Sequence, residues 1–366
     1  MHPKNILYPL SLALMSSLLC SFTSLDLASS PIADNTDKME DSSPISTTKP
    51  GSCEGFILSV DGLLWTASES GLSYATTASS NPELGKGQIK NPNFRWQGGF
   101  RVGAGFHIPH GSWDTLMNYT WFHDTAKGKT QNNPENYLIA TGISAINNTH
   151  SRPYAISCDA KWKLFLDILD LELGRTMIPM KWISFRPFIG TKAAWIHQKY
   201  EINYSDLVSN YQSLDYEVDL KNNYWGIGPM VGLNTQFWMG YGFSIFGNIA
   251  ASLVYGQFTL KQQETADNDT VADLSNNYYA GRAITDLQLG LRWDSNVCKS
   301  KKASVCQCEK IRKKTNFSMT AGWEQHLFFS QGEFMHFTDA TNAGRFTQEH
   351  NDLSVQGATL SMRLDF

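Results

Sequence analysis

The sequence predicts an all-β protein: a single antiparallel transmembrane β-barrel of about ten strands, within a range of eight to fourteen. Three observations predict it. The last nine residues, 358–366, alternate strictly between apolar and polar side chains, as a strand with one apolar face does. The same alternation recurs along the chain. Long connections between the alternating stretches alternate with short ones, as external loops and periplasmic turns do in outer-membrane barrels.

The C-terminal strand is the clearest one, although chain ends usually fray. Its apolar positions run from Ala358 to the terminal Phe366, and polar residues such as Arg363 and Asp365 fill the other face. A barrel explains this placement, because its last strand must pair with its first to remove both sheet edges. On this stretch alone, the terminal strand of a soluble β-sandwich is the alternative.

Composition agrees with a barrel. Of 366 residues, 17% are charged and 12% are aromatic, with 11 Trp and 28 Gly. The mean hydropathy of −0.30 excludes a helical membrane protein, whereas half of every barrel strand faces a polar lumen. The formal net charge of −4 indicates no nucleic-acid partner.

The N-terminus has the features of an export signal. Lys4 precedes an apolar run from Ile6 to Cys20, so residues 1–30, with an approximate end, are predicted to be a signal peptide. Cys20 follows two leucines, a poor match to a lipoprotein signal. Residues 31–53 are rich in Ser, Thr, Asp and Pro and are predicted to be a flexible arm. The barrel then occupies residues 54–366.

Ten stretches between Gly55 and the C-terminus carry the strand pattern. They are residues 56–65, 94–108, 113–121, 161–173, 185–197, 225–234, 243–255, 287–294, 317–324 and 358–366. The apolar phase shifts near Leu169 in the fourth stretch, which predicts a β-bulge. Residues 66–93, 124–156, 200–221, 259–280 and 330–352 are predicted long loops; residues 109–112, 174–181 and 239–242 are predicted short turns, and 297–314 is a longer exception.

Six pieces of the predicted barrel carry a family resemblance. They are Val60-Asp-Gly-Leu-Leu-Trp65, Asn118-Tyr-Thr-Trp-Phe-His123, Leu169-Asp-Leu-Glu-Leu-Gly-Arg175, Arg186-Pro-Phe-Ile-Gly190 running to Ala194-Trp-Ile-His-Gln-Lys-Tyr200, Asn222-Asn-Tyr-Trp-Gly-Ile-Gly-Pro-Met-Val-Gly-Leu-Asn234 and Gly322-Trp-Glu-Gln-His326. In this order, they resemble the pore-forming major outer membrane protein family of Legionella, also found in environmental chlamydiae. The resemblance implies a barrel pore in the bacterial outer membrane, with no catalytic residues to carry over.

The C-terminus also resembles the signal that the barrel assembly machinery reads. The matching residues are Gly357, Leu360, Met362 and Phe366, while Val355 stands where a polar residue is expected. The expected partners are therefore outer-membrane lipid and the assembly machinery. Whether the protein forms a homo-oligomer is left open, because no feature of the sequence indicates the oligomeric state.

Charged residues on the predicted lumen faces are the candidate pore-lining set, because lumen charges set conductance and ion preference. Basic residues outnumber acidic ones, which favours a weak anion preference. The alternative is that these charges bridge a narrow barrel and plug it. The set is Asp61, Arg95, Arg101, Asp114, Lys161, Lys163, Arg186, Lys192, Arg292, Glu324 and Arg363.

Tryptophans fall near predicted strand ends, as expected for aromatic girdles at the two membrane interfaces. The candidates are Trp65, Trp113, Trp121, Trp162, Trp195, Trp225, Trp293 and Trp323. The alternative is an ordinary aromatic core.

Five cysteines, including Cys158, remain after the predicted signal. Export permits disulfides, and Cys53, Cys298, Cys306 and Cys308 are the candidates, within the barrel or to neighbouring envelope proteins. No fourth ligand is spaced for zinc at Cys306 and Cys308, and no catalytic or cofactor motif is present. No cofactor, metal site or catalytic residue is therefore predicted.

The sequence thus predicts a porin that allows passive diffusion of small hydrophilic solutes or ions. Two alternatives remain open. The first is a surface adhesin or disulfide-linked structural protein with a closed barrel, and the weaker second is an outer-membrane hydrolase.

Overall fold

The structure is a computed structural model that describes residues 55–79, 87–108, 112–131, 136–141, 143, 154–209, 212–295, 315–337, 346–348 and 350–366. Ten strands, labelled β1 to β10, form the barrel. They are β1 (Phe56–Glu69), β2 (Gln97–His107), β3 (Trp113–Gln131), β4 (Ser157–Arg175), β5 (Ile183–Ser209), β6 (Gln212–Gly240), β7 (Phe243–Ala266), β8 (Asp269–Asp294), β9 (Asn316–Gly332) and β10 (Asn351–Asp365). The described residues contain no helix long and apolar enough to cross a membrane.

The ten strands form a closed antiparallel meander. Each pairs with its neighbours in sequence, and β10 returns to pair with β1 from Ile57 opposite Asp365 to Glu69 opposite Leu353. At the end of this seam, the amide of Phe366 donates a hydrogen bond to the carbonyl of Phe56 (2.9 Å). The predicted fold class is therefore confirmed, and the barrel has no free strand edge.

The alternation sorts side chains to the two faces of the wall. On β1, Phe56, Leu58 and Val60 point outward and are about half exposed or more, whereas Ile57 and Trp65 point inward and are buried. The outward apolar band repeats around the ring, where it faces lipid. The side that holds the β2–β3, β4–β5 and β6–β7 turns and both ends of the barrel chain is the predicted periplasmic side, and the side onto which β5 to β8 extend is the predicted external side.

Four neighbouring strands extend far beyond the membrane. β5, β6, β7 and β8 contain 27, 29, 24 and 26 residues, against about ten needed to cross a bilayer. Residues 200–221 and 259–280 were predicted to be long loops, and this prediction is wrong, because most of them continue the strands. The β7–β8 hairpin turns at Asp267 and Asn268, both with positive φ, which Asp and Asn tolerate well.

Shorter strands lie in the external connections. Ala75–Ser79, Gly87–Lys90, Asn136–Ala140 and Tyr154–Ala155 join the barrel sheet, with Tyr154 opposite Val208 on β5. Met335–Phe337 and Phe346–Gln348 form a separate pair, and Met177–Met180 pairs with β5 on the periplasmic side.

The expected β-bulge near Leu169 is absent, since β4 keeps an unbroken register with β3 and β5. Leu169 and Leu171 point outward, like Lys163 before them, while Leu166 and Asp170 point inward. The apolar phase shifts because the environment changes along β4. Within the membrane, lipid lies outside the wall and a charged lumen lies inside. Toward the external end, water lies outside the wall and an apolar core lies inside.

Two glycines in the sequence explain the tight β6–β7 turn. Gly240, Tyr241 and Gly242 all have positive φ, at 107°, 53° and 87°. Two glycines allow this path at no steric cost.

Candidate functional site

The lumen is the candidate site, and it has two chemically different halves. The periplasmic half contains a cavity of about 420 Å³ lined largely by charged and polar side chains. The external half is filled by a continuous apolar cluster to which strands around the ring and the external connections contribute. On β4, for example, the inward face changes from the charged Glu172 and Asp170 to the apolar Leu166 and Leu164 toward the external end.

Arg101 on β2 organises one side of the charged half. Its Nη1 and Nη2 donate to Oε1 and Oε2 of Glu324 (3.0 and 2.8 Å), and Nη1 also donates to Asp61 Oδ2 (3.2 Å). Its Nε donates to Thr120 Oγ1 (2.9 Å), and its guanidinium lies 5.6 Å from the Trp65 ring centroid. Bidentate Arg–carboxylate pairs are strong and geometrically specific.

Lys192 on β5 joins the opposite side to the same network. Its Nζ lies 2.7 Å from Asp170 on β4 and 3.3 Å from Asp286 on β8. His326 on β9 then connects Asp286 (2.7 Å) with Glu324 (3.3 Å). A continuous chain of ion pairs and histidine hydrogen bonds therefore crosses the lumen from Asp170 to the Arg101 cluster.

A second arginine cluster lies nearer the periplasm. Arg186 on β5 donates to Asp114 on β3 (2.5 Å) and to Glu172 on β4 (2.7 Å). Its guanidinium also lies 5.4 Å from the ring centroid of Phe188. Because β3 and β5 are not neighbours in the wall, the bond to Asp114 crosses lumen space rather than a strand pair.

Charged pairs also lie close to the periplasmic end. Arg292 is 2.8 Å from Asp294, and Arg363 is 2.9 Å from Asp365. His107 reaches Asp365 at 3.7 Å. Arg292 and Arg363 line the cavity.

The lumen is richer in acids than the sequence analysis expected. Beyond the candidate set, the structure turns Asp170, Glu172, Asp286, Asp294 and Asp365 inward, together with His107 and His326. Among the described residues of the periplasmic half, five Lys and Arg side chains then face eight Asp and Glu side chains on the inward wall (Arg101, Arg186, Lys192, Arg292 and Arg363 against Asp61, Asp114, Asp170, Glu172, Asp286, Asp294, Glu324 and Asp365). This balance opposes the expected anion preference.

Eight members of the candidate pore-lining set line the cavity: Asp61, Arg101, Asp114, Arg186, Lys192, Arg292, Glu324 and Arg363. Three do not. Arg95 precedes β2 at its external end and is exposed. Lys161 and Lys163 point outward, because the inward positions beside them hold Trp162 and Leu164 of the apolar cluster.

Acids were missed in two ways. Asp170 and Glu172 oppose three leucines in the sequence, and this pattern predicts a phase shift and not a lumen-facing pair. Asp286 precedes the predicted start of its strand, so the alternation assigns it no face. The Asp-Leu-Glu run at 170–172, within an otherwise apolar strand, is the signal that could have found the first two.

The external half of the lumen is closed by packing. The cluster includes Trp65, Phe122, Leu166, Ile196, Tyr224, Phe258 and Phe328, all buried. The β1–β2 connection adds Leu72 and Tyr74 to this cluster. We call this cluster the apolar plug.

Hydrogen bonds fasten the connections to the wall. The hydroxyls of Tyr200 and Tyr204 on β5 donate to the carbonyls of Leu72 (2.6 Å) and Tyr74 (2.7 Å). Asn222 on β6 donates to the carbonyl of Gln331 at the end of β9 (2.9 Å). These contacts join β5 to the β1–β2 connection and β6 to β9, which are not neighbours in the ring, so they bridge the lumen.

Glu69, at the external end of β1 and beyond the membrane, also bridges the lumen. Gln198 on β5 donates to its Oε2 (2.6 Å). Burial raises the pKa of Glu69 to about 8, although the Gln198 hydrogen bond opposes this shift. Among the described residues, neither Glu69 Oε1 nor Gln198 Oε1 has a hydrogen-bond partner. The raised pKa favours the protonated form of Glu69 near neutral pH.

The aromatic candidates separate into two groups. Trp113 and Trp293 lie outward near the periplasmic turns, while Trp121, Trp195, Trp225 and Trp323 lie outward at the external edge of the apolar band. Trp65 and Trp162 do not lie at a membrane interface as the sequence predicts, because both are buried inside the barrel in the apolar plug. Trp65 donates to Thr359 Oγ1 on β10 (3.2 Å).

The assembly-signal residues lie on β10 and just beyond it. Leu360, Met362 and Phe366 point outward and are partly exposed, while Gly357 is buried against β1. A Cβ on Gly357 would lie 2.2 Å from the carbonyl oxygen of Leu64, so this close approach requires glycine.

The cysteine candidates Cys53, Cys298, Cys306 and Cys308 lie outside the described residues, as do the signal peptide, the arm and the connection 297–314. Cys158 is buried in the apolar plug as a free thiol. In the described part of the chain, no group of His, Cys, Asp and Glu has the arrangement of a metal site.

Comparison with known proteins gives one family match. The model of the family described as "Legionella pneumophila major outer membrane protein precursor" matches residues 48–366. No curated protein matches the chain.

Similar solved structures include three outer-membrane proteins. The outer membrane protease OmpT from Escherichia coli is 9% identical, with 85% of this chain and 97% of that chain covered and a TM-score of 0.39. The Pseudomonas putida toluene transporter TodX is 6% identical (85% and 89% covered, TM-score 0.28), and a Pseudomonas aeruginosa FadL homologue is 8% identical (85% and 89% covered, TM-score 0.23). At these TM-scores, the likenesses carry no argument about activity.

Proposed function

Because the chain belongs to the Legionella major outer membrane protein family, and is therefore a bacterial outer-membrane β-barrel, we propose that it is a pore-forming protein in a closed state. In the open state, small hydrophilic solutes or ions would pass through the lumen by passive diffusion. No catalytic role is assigned to any residue.

The observation that carries this proposal is the polar cavity in the periplasmic half. It has a volume of about 420 Å³, and its walls carry charged groups at the depth of the membrane. Polar, charge-lined interiors are typical of barrels that hold a water-filled channel. A solute that entered from the periplasm would meet hydrophilic walls as far as the apolar plug.

Opening requires the apolar plug to move. Its wall residues belong to strands that are held by continuous ladders, whereas Leu72 and Tyr74 belong to the β1–β2 connection. The hydroxyls of Tyr200 and Tyr204 hold this connection to β5, and the strand Ala75–Ser79 pairs with other external strands. Net contributions of about 1 kcal/mol per hydrogen bond are typical, so losing the two tyrosine bonds would loosen the connection without breaking the continuous ladders of the wall.

The apolar plug itself favours a second candidate, a permanently closed structural barrel. Small outer-membrane barrels can fill their interior with side chains, and this chain places aromatic rings across its external half. In this case, the parts of β5 to β8 beyond the membrane would serve adhesion, and Cys53, Cys298, Cys306 and Cys308 would serve cross-linking. Equal gel mobility of envelope samples with and without reductant would refute intermolecular disulfides.

Single-channel conductance in a planar bilayer tests the proposal. The native protein is compared with a double variant, Tyr200→Phe/Tyr204→Phe, that loses both hydroxyl bonds and keeps both rings. A pore predicts discrete, salt-dependent current steps, with longer or more frequent openings in the double variant. Two correctly folded, silent proteins would overturn the proposal and leave the closed barrel.

A further inference from the structure

We propose that the outer face of strands β4 to β7, just beyond the external edge of the membrane band, binds the phosphate groups of the glycolipid that forms the outer leaflet of the membrane. The binding surface is a row of four lysines on adjacent strands: Lys163 on β4, Lys199 on β5, Lys221 on β6 and Lys261 on β7. We call it the lysine row. This assignment is independent of whether the lumen conducts.

The strand register places the four lysines side by side. Lys199 is directly opposite Lys163 on one side and Lys221 on the other, and Lys221 is directly opposite Lys261. With neighbouring strands about 4.8 Å apart, the row is about 14 Å long. In sequence, these residues are far apart, so only the register shows the row.

All four side chains point away from the barrel. Their strand neighbours Trp162, Tyr200, Leu220 and Leu260 are buried in the apolar plug, and alternation then directs the lysines outward. Lys221 and Lys261 are exposed, and Lys163 and Lys199 are about one-third exposed.

The row lies just above the external edge of the membrane band. Lys199 follows Trp195 by four residues, and Lys221 precedes Trp225 by the same number. Both tryptophans are exposed on the outer face. Four residues of strand rise about 13 Å along the strand axis, and barrel strands are tilted. The ammonium groups are therefore at the height of lipid headgroups rather than of acyl chains.

The wall supplies too few acids to neutralise the row. Lys163 is 3.9 Å from Glu201, and Lys199 contacts Glu201 and Asp219. Among the described residues, no ion pair joins Lys221 or Lys261. Like charges directly opposite on a sheet destabilise it, so a row of four favours an external anion.

The height of the lysine row relative to the membrane indicates which anion binds it. Lysine is a point-charge donor suited to phosphate, and basic residues at a membrane surface attract anionic lipid. The outer leaflet of a Gram-negative outer membrane consists of glycolipid that carries phosphate groups at this height. A free phosphate would share the chemistry but would gain nothing from the adjacent aromatic and apolar band.

Native mass spectrometry of the folded full chain in detergent tests the assignment, with diphosphoryl lipid A as the probe. The row variant is Lys199→Gln/Lys221→Gln/Lys261→Gln. The control variant, Lys90→Gln/Lys129→Gln/Lys181→Gln, removes the same charge from other sites, including the periplasmic turn at Lys181. Heat-modifiable gel mobility checks folding, and the single variant Lys221→Gln replaces the triple variant if the latter does not fold.

The expected result is a Kd for diphosphoryl lipid A that rises about tenfold or more in the triple row variant, and less in the single variant. The control variant should stay within about twofold of the native protein. Dephosphorylated lipid A should bind the native protein as weakly as it binds the row variant. Equal binding by the row and control variants, or equal binding of phosphorylated and dephosphorylated lipid, would overturn the proposal. Displacement of lipid A by millimolar inorganic phosphate would reassign the row to free phosphate.

Discussion

Arg101 on β2 and Glu324 on β9 form a bidentate pair across the lumen, although three strand steps separate them in the wall. The two bonds measure 3.0 and 2.8 Å, and Glu324 is almost fully buried. Neither strand pairs with the other, so no backbone ladder supports this contact. The pair therefore acts as a strut inside the barrel.

Removing one partner of this pair is expected to destabilise the barrel strongly. Glu324→Gln leaves the largely buried Arg101 guanidinium, whose side chain is 16% exposed, with one fewer counter-charge, and breaking a buried pair typically costs about 3–5 kcal/mol. The measurement is the free energy of unfolding in urea. The control is Glu201→Gln, whose ion pairs lie on the outer surface and should contribute less than about 1 kcal/mol. Similar losses in both variants would contradict the strut.

Truncating the apolar plug is expected to open the lumen. Phe328 on β9 is fully buried in the plug, whereas its neighbour Phe329 points outward and is partly exposed. Phe328→Ala should lower the free energy of unfolding by about 3–5 kcal/mol and increase single-channel conductance. Phe329→Ala, which removes the same atoms, should change both much less. Unchanged current in Phe328→Ala, despite the lost stability, would argue for a permanently closed barrel.

An opened lumen is expected to prefer cations. In the periplasmic half, the described inward wall carries eight acidic side chains against five Lys and Arg side chains, and rings of acids favour cations in pores. The measurement is the reversal potential of Phe328→Ala in a KCl gradient. Asp286→Asn, which removes one wall acid, should shift the potential toward anions. A reversal potential on the anion side in both proteins would restore the preference that the sequence suggested.

The fold was largely predictable, because strict alternation and the pattern of long and short connections are local properties. The C-terminal strand is the clearest case: Leu360 and Met362 face out, and Arg363 and Asp365 face in. The lumen was less predictable. Alternation assigns a residue to one of two faces but does not say what each face meets, and this environment changes at the membrane edge.

This change explains the particular errors. The alternation predicts Lys161 and Lys163 in the lumen because polar positions face the lumen within the membrane, but at their height, the lumen is apolar and the polar region above the acyl chains lies outside. The same change explains why Trp65 and Trp162, which the sequence predicts at the membrane interface, fill the apolar plug. The ion pairs across the lumen could not be predicted, because partners such as Lys192 and Asp286 meet only when the ring closes.

The stability of the external half is expected to fall as pH rises. Glu69 has a pKa of about 8 in the folded state and 4.5 ordinarily, so the folded state keeps a proton that the unfolded state has released. Its contribution is fully present below about pH 4.5 and is lost as pH rises through 8, with a slope of up to about 1.4 kcal/mol per pH unit. Glu69→Gln should lack this slope, so its stability relative to the native protein should grow across this window. Parallel unfolding curves would contradict the assignment.

Deleting Phe366 is expected to impair assembly of the barrel. Its amide donates the last hydrogen bond of the β1–β10 seam, to the carbonyl of Phe56, and its ring lies on the outer face at the periplasmic edge. The deletion removes both that bond and the terminal aromatic that the assembly signal resembles. Phe366→Tyr is the matched control, since it keeps the backbone donor and the aromatic ring. The measurement is the fraction of membrane-inserted protein with heat-modifiable mobility, which should fall in the deletion and stay near native in Phe366→Tyr. Native yields in both would show that the seam closes without its last residue.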